Sequence, residues 1–405
     1  MRLRISTPGL EARRRDRTSR ILITGGTGFL GSHVAAELLK RGYPVSLLAR
    51  SNEKPAAERL QQLLDWFGLP DETRRRLRVT EGDILKPMLG MQSPVLGDAL
   101  NTTDEIIHCA SNTSFSARKR PQVESVNIGG LSRVLEFAAA SRAYSFHHVS
   151  TAYVAGKVSG LCSEEPVAGH EFHNVYEETK NKGEFMVTSA CREAGIRLTI
   201  YRPTIVYGDS RTGRSLRFNA VYHPIRMALF IKDLCEKDIR EGTGQQAMAL
   251  GVSFESDGSA HLPMRVEVDK QGGINIVPID HLTNAFIALM EGAPDGGIFH
   301  IAGDRQTRIE DFVEYTSRLF RLTGIRACTV GEFEAAPRNS LETLYEHYVG
   351  AYAPYMRDTR AFSRAKSLPI LARSGIACPG FDYEVFKRCM LYAVETGWGA
   401  RLFVR

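Results

Sequence analysis

Tyr176 and Lys180 stand four residues apart in the stretch NVYEETKNKGEF, residues 174–185. On a helix that spacing puts a phenol and an ammonium on one face. An amphipathic surface needs nothing more than that, so the reading turns on what the chain places opposite this face. The helix expected from about Tyr176 to Ala194 stops before Gly195, and its stripe continues through Gly183, Val187 and Cys191. Those small or apolar groups suit packing, so Lys180 is expected to point inward. Thr151 lies twenty-five residues before Tyr176, at the end of the run SFHHVST, and adds a hydroxyl. The fold expected below would bring Thr151, Tyr176 and Lys180 towards one crevice.

A second constellation is TGGTGFLG, residues 24–31, in which Gly25, Gly28 and Gly31 have the spacing G-x-x-G-x-x-G. Glycine there permits a tight turn, a close approach of backbone to a pyrophosphate, and close helix–strand packing. A glycine-rich turn is the plainer reading. The apolar run before it and the helical pattern after it (Leu30, Val34, Leu38) favour a dinucleotide site at a helix N-terminus. Thr24, Gly25, Thr27, Gly28, Phe29, Leu30 and Gly31 are the expected contacts. The second strand ends in LLARSNEK, with Ala49 where an acidic residue would bind a ribose 2′-hydroxyl. Arg50 follows and can fork onto a 2′-phosphate, so NADPH is the expected cofactor, with Lys54 as a helper. Otherwise Arg50 is a solvated side chain. Asp83 and Ile84, in EGDI, are expected near the adenine, unless Asp83 caps a turn. Ala110 and Ser111, in HCASNTSF, fall at the carboxyl edge where such sheets bind ligands. His108 is given no chemistry.

These residues need a scaffold. RILITGG, PVSLLAR, RLRVTEGD, EIIHCAS, SFHHVST and LTIYRPTIVYG read as six strands. Helical patterns fall between them, one from about Pro121 to Arg142. Strand–helix alternation predicts a Rossmann-type, doubly wound parallel sheet of the α/β class. After residue 208 the pattern breaks into a mixed stretch holding FNAVYHPIRMALFIKDL, an amphipathic helix. INIVPID and GIFHIAG read as further strands, and residues 305–405 read as mostly helical and aromatic.

Bulk properties narrow the class. The chain has 405 residues, 43% hydrophobic and 24% charged, enough for one large domain or two. Seven cysteines are dispersed with no C-x-x-C pair, so no metal site is expected and reduced cytoplasmic thiols fit. No apolar run reaches membrane length. Residues 1–19 read as a basic, frayed arm. The net charge of +6 includes arginine clusters at 13–15, 74–78 and 211–217. They fit solvated faces or an acidic partner, and without aromatic–basic interleaving nucleic acid is not expected.

TGGTGFLG, VSTAYVAG, the Tyr176/Lys180 pair, YRPTIVYGDSRTG and NIVPIDHLTNAF together resemble the extended short-chain dehydrogenase/reductase superfamily. GDILKPMLG, IIHCASNTSF and STAYVAG resemble its thioester-reductase and fatty acyl-CoA reductase branch. Many members of that branch are domains of multidomain synthetases, whereas this chain is read as standing alone. The resemblance implies an NADP-binding domain over 20–208 and 273–304. It implies a smaller, mostly helical substrate region over 209–272 and 305–405. It implies cofactor contacts at Tyr201, Pro203, Thr204 and Lys180, and catalysis by Thr151, Tyr176 and Lys180, with Lys180 drawing Tyr176 towards its phenolate. The implied reaction is NADPH-dependent reduction of an acyl thioester to an aldehyde, or on to an alcohol. The thioester would ride on CoA or on an acidic acyl or peptidyl carrier, with Arg211, Arg214 and Arg217 as a docking cluster. Tyr345, Tyr348, Tyr352 and Tyr355 would line an acyl channel or serve as ordinary aromatics. Ketone reduction and sugar-nucleotide epimerisation or dehydration remain the alternatives.

Overall fold

The structure, a computed structural model, describes residues 15–51, 55–270 and 272–403. Lys54 and residues 1–14 lie outside the described residues. Seven short runs form one parallel sheet: β1 (Ile21–Thr24), β2 (Val45–Ala49), β3 (Leu77–Glu81), β4 (Glu105–His108), β5 (Ser145–Val149), β6 (Arg197–Pro203) and β7 (Gly297–Ile301). Their order is β7-β6-β5-β4-β1-β2-β3. The winding reverses between β1 and β4, which pair directly, and a crevice opens at the carboxyl ends there. Strands β1, β4 and β5 are buried throughout, as a sheet covered on both faces requires.

Helices α1 (Phe29–Lys40), α2 (Leu131–Ala140), α3 (Val175–Ala194) and α4 (Ile279–Gly292) supply the cover. One face packs Val34 and Leu38 of α1 with Leu282 and Phe286 of α4. The other packs Val134 of α2 with Val187 and Cys191 of α3. A third core draws on the segments around 152–162, 205–276 and 302–393.

Several expectations are revised. LTIYRPTIVYG breaks after Pro203, and Ile205–Tyr207 pairs instead with Ile276–Pro278 outside the main sheet. The later regions contain a three-stranded sheet of Ser253–Phe254, Ala260–Glu267 and Leu322–Cys328. The helix expected over 121–142 forms in pieces: Arg120–Glu124, a π turn over Ser125–Gly130, then α2. The basic arm does not extend to residue 19 as a frayed segment. Arg15 donates to both carboxylate oxygens of Glu105 and to the Met290 carbonyl, which seats this stretch against the sheet. Among the described residues no helix is long and apolar enough to cross a membrane.

Candidate active site

The glycine loop follows β1. Gly25 has φ +73°, and a Cβ there would meet the Ala110 backbone nitrogen at 2.5 Å. A Cβ on Gly31 would lie 2.4 Å from the Gly25 carbonyl. The loop is therefore closed against the end of β4, and only glycine fits. Gly28 begins α1 with no side-chain cap, which leaves the first amides of the helix for an anion.

The remaining loop residues divide. The Thr27 hydroxyl accepts from Arg59 at 3.2 Å. The Thr24 hydroxyl is buried against His108 Nδ1 at 2.7 Å. Phe29 stacks edge-on with His33, and Leu30 packs on the α1–α4 core. Arg50 is 54% exposed and pairs with Asp83 at 3.9 Å. Asp83 also accepts the Leu85 amide at 3.0 Å, so it does cap a turn. Ile84 lies close to Gly130 in the π turn.

Thr151 follows β5 and opens the short turn Ala152–Ala155. Its hydroxyl accepts the Tyr153 amide at 3.3 Å and donates to the Pro203 carbonyl at 3.4 Å. Helix α3 begins at the N-cap Asn174 and ends at Gly195, left-handed at φ 67°, so Tyr176 lies in its first turn. Burial pushes the Tyr176 phenol up to about 12, the Thr151 hydroxyl hydrogen-bonds it and draws it down, and the Glu177 carboxylate adds to the rise. The phenol is thus held as a proton donor. The downward pull here comes from Thr151, whereas the expected pull towards phenolate joined Lys180 with a bound, cationic nicotinamide ring. The Lys180 ammonium donates to the Val149 carbonyl at 2.7 Å. Lys180 is 4% exposed, and burial lowers its pKa to about 8 against upward pulls from Cys109 and Glu184. The structure therefore brings Thr151, Tyr176 and Lys180 together at the crevice.

The loop after β4 is tied in by Asn127, which sequence reasoning missed. Its side chain accepts from the Ser111 hydroxyl (3.1 Å) and the Asn112 amide (2.8 Å), and donates to Thr179 of α3 (3.0 Å). The π turn that carries Asn127 had no sequence signal beyond the paired Gly129 and Gly130. Arg59, also missed, donates to the Arg50 carbonyl at 3.1 Å. Tyr201 does not reach the crevice. Its ring packs 4.0 Å from Phe286 and its hydroxyl bonds His147 Nδ1 at 3.0 Å, inside the core. Thr204 hydrogen-bonds to Ile301 of β7 through its amide at 3.1 Å. Pro203 contributes the carbonyl beside Thr151.

The tyrosine cluster also separates. Tyr352 and Tyr355 flank Phe115, whose ring centre lies 6.1 Å from that of Tyr176. Tyr345 bonds the Pro224 carbonyl, and Tyr348 is exposed. Arg214 is committed to Trp66, 4.1 Å over the ring and donating to its carbonyl, whereas Arg211 and Arg217 are exposed.

The residues fit a dinucleotide. The cradle is closed by backbone at Gly25 and Gly31, and α1 starts behind it without a side-chain cap. The buried Ser150 hydroxyl, beside Thr151, has no hydrogen-bond partner among the described residues. The model of the male sterility protein family of NAD-binding domains matches residues 23–286. The chain belongs to that family. It is 27% identical to the L-2-aminoadipate reductase large subunit of Penicillium chrysogenum over 72% of this chain and 20% of that protein. It is 27% identical to an isonitrile lipopeptide synthase of Streptomyces coeruleorubidus over 93% of this chain and 24% of that protein. The chain thus spans less than a quarter of these curated relatives. The terminal R domain of the myxalamid PKS-NRPS pathway superposes with a TM-score of 0.73 at 21% identity, covering 94% of this chain and 92% of that one. A UDP-glucuronic acid 4-epimerase from Bacillus cereus, in complex with NAD, gives 0.61 at 18% identity, covering 93% and 99%. The fold of this family member is that of the extended short-chain dehydrogenase/reductases, and its cofactor is a nicotinamide dinucleotide.

Proposed function

We propose that the chain is an NADPH-dependent reductase of an acyl thioester, carried on CoA or on an acidic carrier protein. The observation that carries the reading is that the Thr151 hydroxyl acts on the Tyr176 phenol, while Lys180, buried one turn on in the same helix, donates to the Val149 carbonyl two residues before Thr151. Bound in the Gly25–Gly31 cradle, the cofactor would supply the hydride. Thr151 and Tyr176 donate to the thioester carbonyl oxygen as it gains charge, and Tyr176 gives up its proton to form a hemithioacetal. Collapse of that adduct breaks the carbon–sulfur bond, releases the thiol and leaves an aldehyde. A second reduction of the aldehyde would give the alcohol.

Arg50, with Ala49 in place of an acidic residue, supports NADPH over NADH. Lys180 is read as the cofactor's ribose ligand as well as a catalytic group. The names of the relatives, an aminoadipate reductase and a lipopeptide synthase, support a carrier-bound acyl substrate. The core shared by the 209–272 and 305–403 segments is read as the substrate-binding part. Arg211 and Arg217 remain exposed for an anionic carrier.

The test is a panel of acyl-CoA, carrier-bound acyl, ketone and sugar-nucleotide substrates with NADPH, following its oxidation and the thiol released. Thiol release in step with NADPH oxidation is the expected result. Ketone reduction without activity on any thioester would overturn the reading. Rising salt should lower kcat/KM for a carrier-bound thioester far more than for a short pantetheine-free analogue. An equal response of the two would remove the docking role of Arg211 and Arg217.

A further inference from the structure

Residues 355–360 touch both turns that present the reacting hydroxyls. The buried Tyr355 hydroxyl donates to Glu177 Oε1 at 2.6 Å and accepts from Asn174 Nδ2 at 2.7 Å. Asn174 caps α3 by accepting the Glu177 amide at 3.1 Å, and the second Glu177 oxygen accepts the His173 amide at 3.0 Å. Tyr176 lies inside that knot. A few residues on, Arg360, 1% exposed, is held by both Asp358 oxygens at 2.8 and 2.9 Å and donates to the Gly156 carbonyl at 2.8 Å. Gly156 closes the turn that Thr151 opens. The Arg360 guanidinium also lies 4.8 Å over the ring of Tyr153, in the same turn, and 5.9 Å from the centre of the Tyr355 ring.

Stability alone does not account for this arrangement. A buried ion pair is often no more stabilising than apolar groups of the same volume, but it does fix geometry. The reaction above asks two hydroxyls on separate turns to meet one oxygen, and a small misplacement costs rate steeply. We propose that Tyr355 and Arg360 are positioning residues that brace the Thr151 turn against the first turn of α3 and so set how the two hydroxyls converge. The inference rests on the reductase reading.

The test is a double-mutant cycle on the full chain. Tyr355→Phe keeps the ring against Phe115 and removes both hydrogen bonds. It should lower kcat between about tenfold and 100-fold, with KM for NADPH unchanged. The same substitution in a Tyr176→Phe background should cost almost nothing further, because the brace acts through Tyr176. Arg360→Lys keeps the charge but cannot span Asp358 and Gly156 together. It serves as the second variant, with a smaller loss of the same kind. A near-normal kcat in Tyr355→Phe, or an equal loss in both backgrounds, overturns the proposal. If the wild-type chain reduces a ketone and no thioester, the thioester reading fails alone, and the cycle is decided on the ketone.

Discussion

Arg59 ties the glycine loop to the end of the second strand, donating to the Thr27 hydroxyl at 3.2 Å and to the Arg50 carbonyl at 3.1 Å. It fixes the backbone of Arg50 while the Arg50 side chain stays half-exposed, 3.9 Å from Asp83. The two arginines should therefore separate in their effects. Arg50→Ala should raise KM for NADPH about tenfold or more, the worth of a charge-assisted hydrogen bond, and leave NADH nearly unchanged. On the proposed reading the Thr27 loop would hold the pyrophosphate that both cofactors share, so Arg59→Ala should weaken both. Steady-state kinetics with each cofactor checks this, and equal losses in Arg50→Ala would remove it as the determinant.

Tyr176→Phe should lower kcat by roughly 10²- to 10⁴-fold, the span of general acid catalysis, and leave NADPH binding near normal by fluorescence titration. Lys180→Ala should harm both. A Tyr176→Phe enzyme with near-normal turnover would mean that another group donates the proton.

The pH profile follows from two opposed groups. Burial holds Tyr176 up at about 12, so its proton stays in place across the working range. Burial brings Lys180 down to about 8, so its charge is lost as pH rises through that value. For thioester reduction, kcat/KM should fall on the alkaline side with a midpoint near 8. Lys180→Arg, slower overall, should lose that limb because arginine does not titrate there. A wild-type profile flat to pH 10 would show that the Lys180 charge is not needed.

The carboxyl of Glu105 has an acid-stability signature. Burial opposes its charge, but hydrogen bonds from His147 and Arg15 hold it down to about 2 from an ordinary 4.5. A depressed carboxyl stabilises the fold fully above the ordinary value, and that contribution is lost as pH falls from about 4.5 towards 2. Glu105→Gln should cost roughly 3 kcal/mol at neutral pH, the usual loss when one partner of a buried pair is removed. It should also flatten the fall of stability with acid. Urea unfolding at pH 7 and at pH 3 would show both, and a variant that keeps the wild-type slope would place the acid sensitivity elsewhere.

The sheet is legible in the sequence because strands covered on both faces leave near-continuous apolar runs, as in ILIT and VSLLA. Helix α3 is legible to about a residue because Gly195 ends it and its inward stripe is small or apolar. The second sheet is hidden for identifiable reasons. Leu322–Cys328 follows the helix Ile309–Phe320 through Arg321, left-handed at φ 54° with no glycine or proline to mark the break. Ala260–Glu267 alternates cleanly in burial, but Pro263 argues against a strand. Tyr201 illustrates a different limit: a strand sends alternate side chains to opposite faces, and a motif match does not say which face is the core. Tyr355 meets Glu177 across 178 residues of chain, a contact that no local pattern carries.

Arg360–Phe362 runs parallel to Gly160–Cys162, the strand just beyond the Thr151 turn. For protein engineering this fixes where the chain can be recombined. A crossover placed after the main sheet, exchanging everything beyond β7 for the tail of another family member, would separate Arg360 from Gly156 and Tyr355 from Glu177. Chimeras between this chain and its relatives should inherit residues 355–362 together with residues 156–177 as a single linkage block, and libraries shuffled without that constraint should be enriched in folded but inactive members.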